Sequence, residues 1–101
     1  MKTKAALKYL ELLIKNFYLV ANPKDNELKY LISRKQRFFC LNQKDKSIIV
    51  SEKLCCRLQS SFGIESEYDL INLFNKFFKK NNVNIFVASI YILDFDFFTY
   101  E

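Results

Sequence analysis

The stretch FFCLNQKDKSIIV, residues 38–50, decides how the fold of this chain is interpreted. Two apolar runs rich in aromatic and β-branched residues flank the polar segment 43–46, which is the spacing of a β-hairpin. The sequence therefore predicts antiparallel strands over 37–42 and 47–50. A helix running from Pro23 through Leu41 is the competing interpretation, because apolar residues in that stretch also recur at helical spacing.

Two capped helices are predicted to follow the hairpin. Ser51 can act as an N-cap and Gly63 can end the helix in a left-handed conformation, which predicts a helix over 51–61. Ser66 opens a segment that resembles a capping box, which predicts a helix over 66–81. The run 83–93 is β-branched and aromatic on both pleat faces, and this pattern is typical of a central strand.

Two further helices are predicted before the hairpin. An apolar stripe with charged residues opposite it predicts a helix over 4–21, and Asn22-Pro23 has the form of a helix start, which predicts a second helix over 23–35. The expected fold is α+β: about four helices and a short antiparallel sheet with a central C-terminal strand, in one domain spanning residues 1–101. A mainly helical domain with one C-terminal strand is the alternative.

The composition of the 101-residue chain disfavours most active sites. There is no His, so the commonest general base and metal ligand is missing. There is one Gly, so a glycine-rich phosphate loop cannot be built. We therefore predict a non-enzymatic protein with no catalytic residues and no cofactor.

Two small groups of residues are candidate metal ligands. Asp94 and Asp96 alternate along the chain and could share a hard cation, with Glu101 as a third ligand of a metal-dependent nuclease. An exposed strand end is the simpler interpretation. Zinc would need a fourth ligand beside the three cysteines, so we predict reduced thiols and no metal site; the cysteines are Cys40, Cys55 and Cys56.

The whole chain has a net charge of +5. Its basic and aromatic residues are densest in the middle third. Basic residues interleaved with aromatic ones suit phosphate contacts and base stacking. A solvated face in a Lys-rich chain is the simpler interpretation. The candidate partner- or nucleic-acid-binding residues are Lys29, Arg34, Lys35, Arg37, Phe38, Phe39, Lys44, Lys46, Lys53 and Arg57.

These features predict a small interaction protein that binds and inhibits or redirects a larger protein or ribonucleoprotein complex. The AT-rich codon usage implied by abundant Lys, Asn, Ile and Phe is frequent in phages and mobile elements, which extends the prediction to an anti-defence, anti-CRISPR-like inhibitor of a nucleic-acid-handling complex. The alternative is a DNA- or RNA-binding regulator that uses the basic cluster or a helix-turn-helix-like pair of helices.

Location and assembly follow from the N-terminal region. Lys8, Glu11 and Lys15 interrupt its apolar stretch, so neither a signal peptide nor a membrane span is predicted, and the expected location is the cytoplasm. Leu12 and Leu19 lie beside the apolar stripe of the predicted helix. They could pair between two copies, so a homodimer is compatible with each function.

Overall fold

The computed structural model describes residues 2–94, and these residues form an α+β fold. Helices and strands alternate in blocks, with a run of four strands between the first helix and the second. In chain order the elements are α1 (Thr3–Leu13), β1 (Tyr18–Asn22), β2 (Asp25–Ser33), β3 (Gln36–Asn42), β4 (Ser47–Ser51), α2 (Glu52–Phe62), α3 (Glu67–Lys80) and β5 (Ser89–Leu93).

The strands form one mixed sheet in the order β1-β2-β3-β4-β5. The first four strands are antiparallel neighbours, and β5 pairs with β4 in parallel. A parallel pair needs a long crossover, and here the crossover contains α2 and α3. The predicted hairpin over 37–42 and 47–50 is confirmed as β3 and β4. The predicted all-antiparallel sheet is wrong, and the C-terminal strand is Ser89–Leu93 at the edge of the described sheet, not a central strand over 83–93.

The helices cover one face of the sheet and enclose the core. Helix α1 packs on α2 and α3, while α2 and α3 contact β5 and α2 also contacts β4. At the centre, the ring of Phe39 lies with its centroid 5.0 Å from that of Phe74 and 6.3 Å from that of Phe78. Fully burying an apolar side chain of this size stabilises the fold by about 1.5–3 kcal/mol.

The ends of α2 and α3 form as their sequence predicts. Ser51 Oγ accepts a hydrogen bond from the Leu54 amide at 3.2 Å, and Ser66 Oγ accepts one from Asp69 at 3.1 Å. Gly63 follows α2 with φ of 65°, a conformation that a residue without a side chain adopts at little cost. The predicted helices over 51–61 and 66–81 are thus confirmed to within about a residue at each end. Within residues 2–94, no helix has the length and apolar character needed to cross a membrane.

Of the two helices predicted before the hairpin, the one over 4–21 is confirmed only in its first part and the one over 23–35 is wrong. Helix α1 ends at Leu13, and the segment predicted as the helix 23–35 forms β2 and pairs with β1. Asn22 and Pro23 start a β-turn, in which Asn22 Oδ1 accepts a hydrogen bond from the Lys24 amide at 2.8 Å. An Asn side chain that bonds to a backbone amide two or three residues ahead serves a turn as well as a helix start. The competing helix from Pro23 through Leu41 is excluded by the same strands.

Candidate functional site

The sheet face opposite the described helices carries one continuous row of side chains. Residues directly opposite each other on paired strands share a face, and the pairing runs through one residue of every strand. With neighbouring strands about 4.8 Å apart, the row is about 19 Å long. The open-face row consists of Val20, Tyr30, Cys40, Ile49 and Tyr91.

Three large apolar side chains on this face are strongly exposed, whereas Ile32, which pairs with Tyr18 on the same face, is 0% exposed. Tyr18 is 52% exposed, Tyr91 53% and Leu93 49%. Tyr18 lies two residues from Val20, and Leu93 two residues from Tyr91, so both share the open face. Within residues 2–94 these are three of the six exposed large hydrophobic residues. Tyr18 lies on β1 and the other two on β5, so the most exposed apolar side chains stand at both edges of the described sheet, with partly buried residues of the row between them. Exposed apolar surface of this extent often marks a binding site.

The tyrosine at the centre of β2 is held in place by two polar neighbours. The guanidinium carbon of Arg37 lies 4.5 Å from the Tyr30 ring centroid, and Asn22 Nδ2 donates a hydrogen bond to Tyr30 Oη at 3.2 Å. A guanidinium over an aromatic face gains about 0.5–1 kcal/mol at an exposed site. Beside them is a shallow depression of about 320 Å³, which Val20 and Lys24 also line. These contacts therefore hold the Tyr30 side chain in one position on the open face.

The cysteines lie on opposite sides of the sheet. Cys40 is half-buried in the open-face row, where burial raises the pKa of its thiol while nearby Arg37 acts to lower it. Cys55 is buried in the core on α2, and burial, with a smaller effect of Cys56, raises the pKa of its thiol to about 12. Among residues 2–94, no three His, Cys, Asp or Glu side chains meet as a metal site. Asp94 follows β5, whereas Asp96 and Glu101 lie outside the described residues.

The predicted basic residues do not gather in one place. Arg34 and Lys35 form the two-residue turn between β2 and β3, with left-handed φ values of 54° and 61° that type I′ turns require. Lys44 and Lys46 lie in the turn between β3 and β4, which is at the other end of the strands because successive turns of a meander alternate in direction.

The remaining predicted basic residues are also dispersed. Lys29 shares its face with Leu31 and so lies on the helix side of β2. Lys53 and Arg57 are exposed on α2, and Arg57 Nη1 donates a hydrogen bond to Tyr9 Oη at 3.3 Å. Arg37 is the predicted cation that lies on the open face. The positive charge is therefore spread over the surface and no single basic patch forms around the predicted residues.

The two predicted phenylalanines lie in the core. Phe38 and Phe39 are each 2% exposed, so neither ring offers a face to a partner. The exposed tyrosines of the open face are absent from the predicted set. Their signal is residue type, since Tyr18, Val20, Tyr30 and Ile32 are aromatic or β-branched, as is common in strands. The apolar residues between them hide this signal because they also fit helical spacing.

Helices α2 and α3 form the helix-turn-helix-like pair, and the second of them begins with acidic residues. Its second helix, α3, would be the one to enter the major groove, yet Glu67 and Asp69 lie in its first turn and would repel phosphates. Lys79 and Lys80 lie in the last turn instead. One of them is engaged within the chain, since Lys80 Nζ lies 3.0 Å from Glu11 Oε1 of α1.

Comparison with known proteins gives no relative. No family model, no curated protein and no solved structure matches this chain. The chemistry of its surfaces is therefore the basis for a functional proposal.

Proposed function

We propose that this chain is a non-enzymatic interaction protein that binds a larger partner with the open face of its sheet. The observation that carries the proposal is the open-face row, which crosses all five strands and has exposed Tyr18 and Leu93 beside it. Tyrosines suit this role because a ring supplies apolar contact area while the hydroxyl tolerates water before binding.

The charge of the open face favours a protein partner. Among the paired positions of the described strands, Arg37 is the only cation on this face, and the one anion, Asp25, pairs with Asn22 at the end of β1. Depletion of charge with retention of Tyr and Arg is the composition found at the centre of protein–protein interfaces. A sheet that binds nucleic acid directly would need several cations among its aromatic residues, since phosphate contacts supply most of the affinity.

The turns at both ends of the strands would form the rim of the interface. The flat area of the row and its flanking residues is a few hundred Å², and a standard interface buries about 800 Å² on each partner. The additional contact would come from the basic turns, which carry Lys24, Arg34, Lys35, Lys44 and Lys46. We therefore expect a partner surface with an apolar centre and an acidic rim.

The effect on the partner follows from covering such a surface. A small folded chain that occupies it inhibits or redirects the larger complex. A nucleic-acid-handling protein or ribonucleoprotein is the proposed target, and the anti-defence role inferred from composition stays a prediction.

A pair of matched tyrosine variants tests the proposal. The tagged protein captures partners from a lysate treated with nuclease, and the captured partner is then purified and titrated directly. The double change Tyr18→Ser and Tyr91→Ser should lower affinity by at least about 2 kcal/mol, the threshold of an interface hot spot. The control is Tyr68→Ser, because Tyr68 is 70% exposed on α3, away from the sheet. Equal affinity of the double variant and the control would contradict the proposal.

Direct binding of DNA or RNA is the second candidate function. It is favoured by the net charge of +5 and by the lysines in the turns. Binding to naked nucleic acid would weaken by about 0.7–0.9 in log affinity per phosphate contact for each tenfold rise in salt. A partner retained after nuclease treatment supports the first function, and loss of all partners supports the second.

A further inference from the structure

A second exposed aromatic site lies away from the open-face row, beside the turn between β3 and β4. Phe86, in the segment 83–88 that connects α3 to β5, is 62% exposed. It lines two depressions of about 280 Å³ and 170 Å³. The first is shared with Lys79 and Asn75 of α3, and the second with Lys46. We call Phe86, Lys46, Lys79 and Asn84 the Phe86 corner.

The segment that carries Phe86 is fixed to the rest of the chain. Asn75 donates a hydrogen bond from Nδ2 to the Val87 carbonyl and accepts one at Oδ1 from the Val87 amide, both at 2.9 Å. The Ala88 amide donates to the Lys46 carbonyl at 2.6 Å, and the Val83 amide donates to the carbonyl of Phe78 at 2.8 Å. The segment is thus held at both ends, so little ordering entropy remains to be lost on binding.

The corner combines two lysines with one aromatic ring, and no acidic residue lines either depression. Each depression has one Lys and at least one side-chain amide, and Asn84 borders both. Lys46 and Lys79 are both exposed. An exposed ring between cations matches the way in which single-stranded nucleic acid is bound, by base stacking together with phosphate contacts. Amides add hydrogen-bonding groups for base edges.

We propose that the Phe86 corner binds single-stranded nucleic acid, with a base stacked on Phe86 and phosphates contacted by Lys46 and Lys79. The proposal rests on the second candidate function and gives it a location. It is independent of the open-face row, because no residue of that row borders either depression. An acidic peptide would also contact the two lysines, but it does not require a flat ring.

The experiment measures fluorescence anisotropy of a short fluorescein-labelled oligo(U) strand with the full chain at low salt. Phe86→Ala should weaken binding about five- to 150-fold, the range for loss of one stacked base, whereas Phe86→Tyr should retain it. Lys46→Gln and Lys79→Gln should each lower the slope of log affinity against log salt by about 0.7. Tyr68→Ala is the matched control, and unchanged thermal unfolding of each variant excludes misfolding.

Three results would overturn the proposal. The first is absence of oligo(U) binding by the unmodified chain at low salt. The second is unchanged affinity of Phe86→Ala, and the third is tighter binding to a labelled oligo-glutamate peptide than to oligo(U). The double change Tyr18→Ser and Tyr91→Ser separates the two sites, since it should leave oligo(U) binding intact. Loss of oligo(U) binding in that variant alone would assign nucleic acid to the open face and refute the corner.

Discussion

The two faces of the sheet carry adjacent rows of opposite character. The covered row, which lies against the helices, and the open-face row each take one residue from every strand, so every residue of one has a chain neighbour in the other. The covered row has no side-chain hydrogen-bonding group, whereas the open-face row has two tyrosines and a thiol. The covered row consists of Leu19, Leu31, Phe39, Val50 and Ile92.

This difference separates the residues that stabilise the fold from those of the proposed binding face within the same five strands. Leu31, Phe39 and Val50 are at most 2% exposed, and their burial supplies the driving force for folding. Tyr91 leaves about half of its surface in water, so it contributes little to the free energy of folding.

The largest expected effect compares two neighbours on β3. Phe39→Ala should lower the free energy of unfolding by about 3–5 kcal/mol, because it leaves a cavity against Phe74 and Phe78. Cys40→Ala, on the opposite face, should cost less than about 1 kcal/mol. Urea unfolding followed by circular dichroism measures both values. Similar losses for the two variants would show that the open face is also part of the core.

A smaller effect concerns the pH dependence of stability on the covered side. The pKa of Cys55 is raised from 9.0 to about 12, chiefly by burial, so the folded state favours the neutral thiol. Its contribution to stability is fully present below about pH 9 and is lost as the pH rises from there toward about 12. The free energy of unfolding should therefore fall over this range, and less steeply in Cys55→Ala.

The exposed neighbour provides the control for this measurement. Cys56→Ala should keep the pH dependence of the unmodified chain, because Cys56 is exposed and contributes only the smaller influence on the pKa of Cys55. The same slope in the unmodified chain, Cys55→Ala and Cys56→Ala would mean that the buried thiol does not determine alkaline stability.

The smallest expected effect compares two neighbours on β5. Tyr91→Ser should change the free energy of unfolding by no more than about 0.5 kcal/mol, since its side chain is half in water. Ile90→Ser should cost several times more, because Ile90 is 8% exposed and packs in the core. Thermal unfolding of the two variants tests the contrast. A large loss for Tyr91→Ser would point to a structural role for the open face.

The hairpin and the two helices after it were more predictable than the segment before the hairpin. The signals around α2 and α3 are local: Ser51, Gly63 and Ser66 each act on backbone groups within four residues. A helix was wrongly predicted over 23–35 because Asn22-Pro23 fits a helix start and a turn equally well. Tyr18 and Val20 are residue types that favour a strand, whereas the spacing of apolar residues over 4–21 favours a helix, and pairing between β1 and β2 decided the outcome.

The residues of the candidate site were less predictable from the sequence than the local structure. The basic residues that are close in sequence lie at opposite ends of the sheet and on the outside of α2. Two of the selected rings, Phe38 and Phe39, became core residues. The open-face row is assembled from five segments spread over residues 20–91, so no local pattern could reveal it.

By itself, the sequence determined the α+β class, the β3–β4 hairpin, the two capped helices and the shortage of catalytic groups. These depend on residue type and on hydrogen bonds between near neighbours in the chain. The tertiary structure alone decided that Tyr18–Asn22 and Asp25–Ser33 are strands, that β5 pairs in parallel at the edge of the described sheet, and which aromatic rings face outward. Those outcomes depend on strand pairing between distant segments, because each strand places half of its side chains on the face that the helices cover and half on the opposite face.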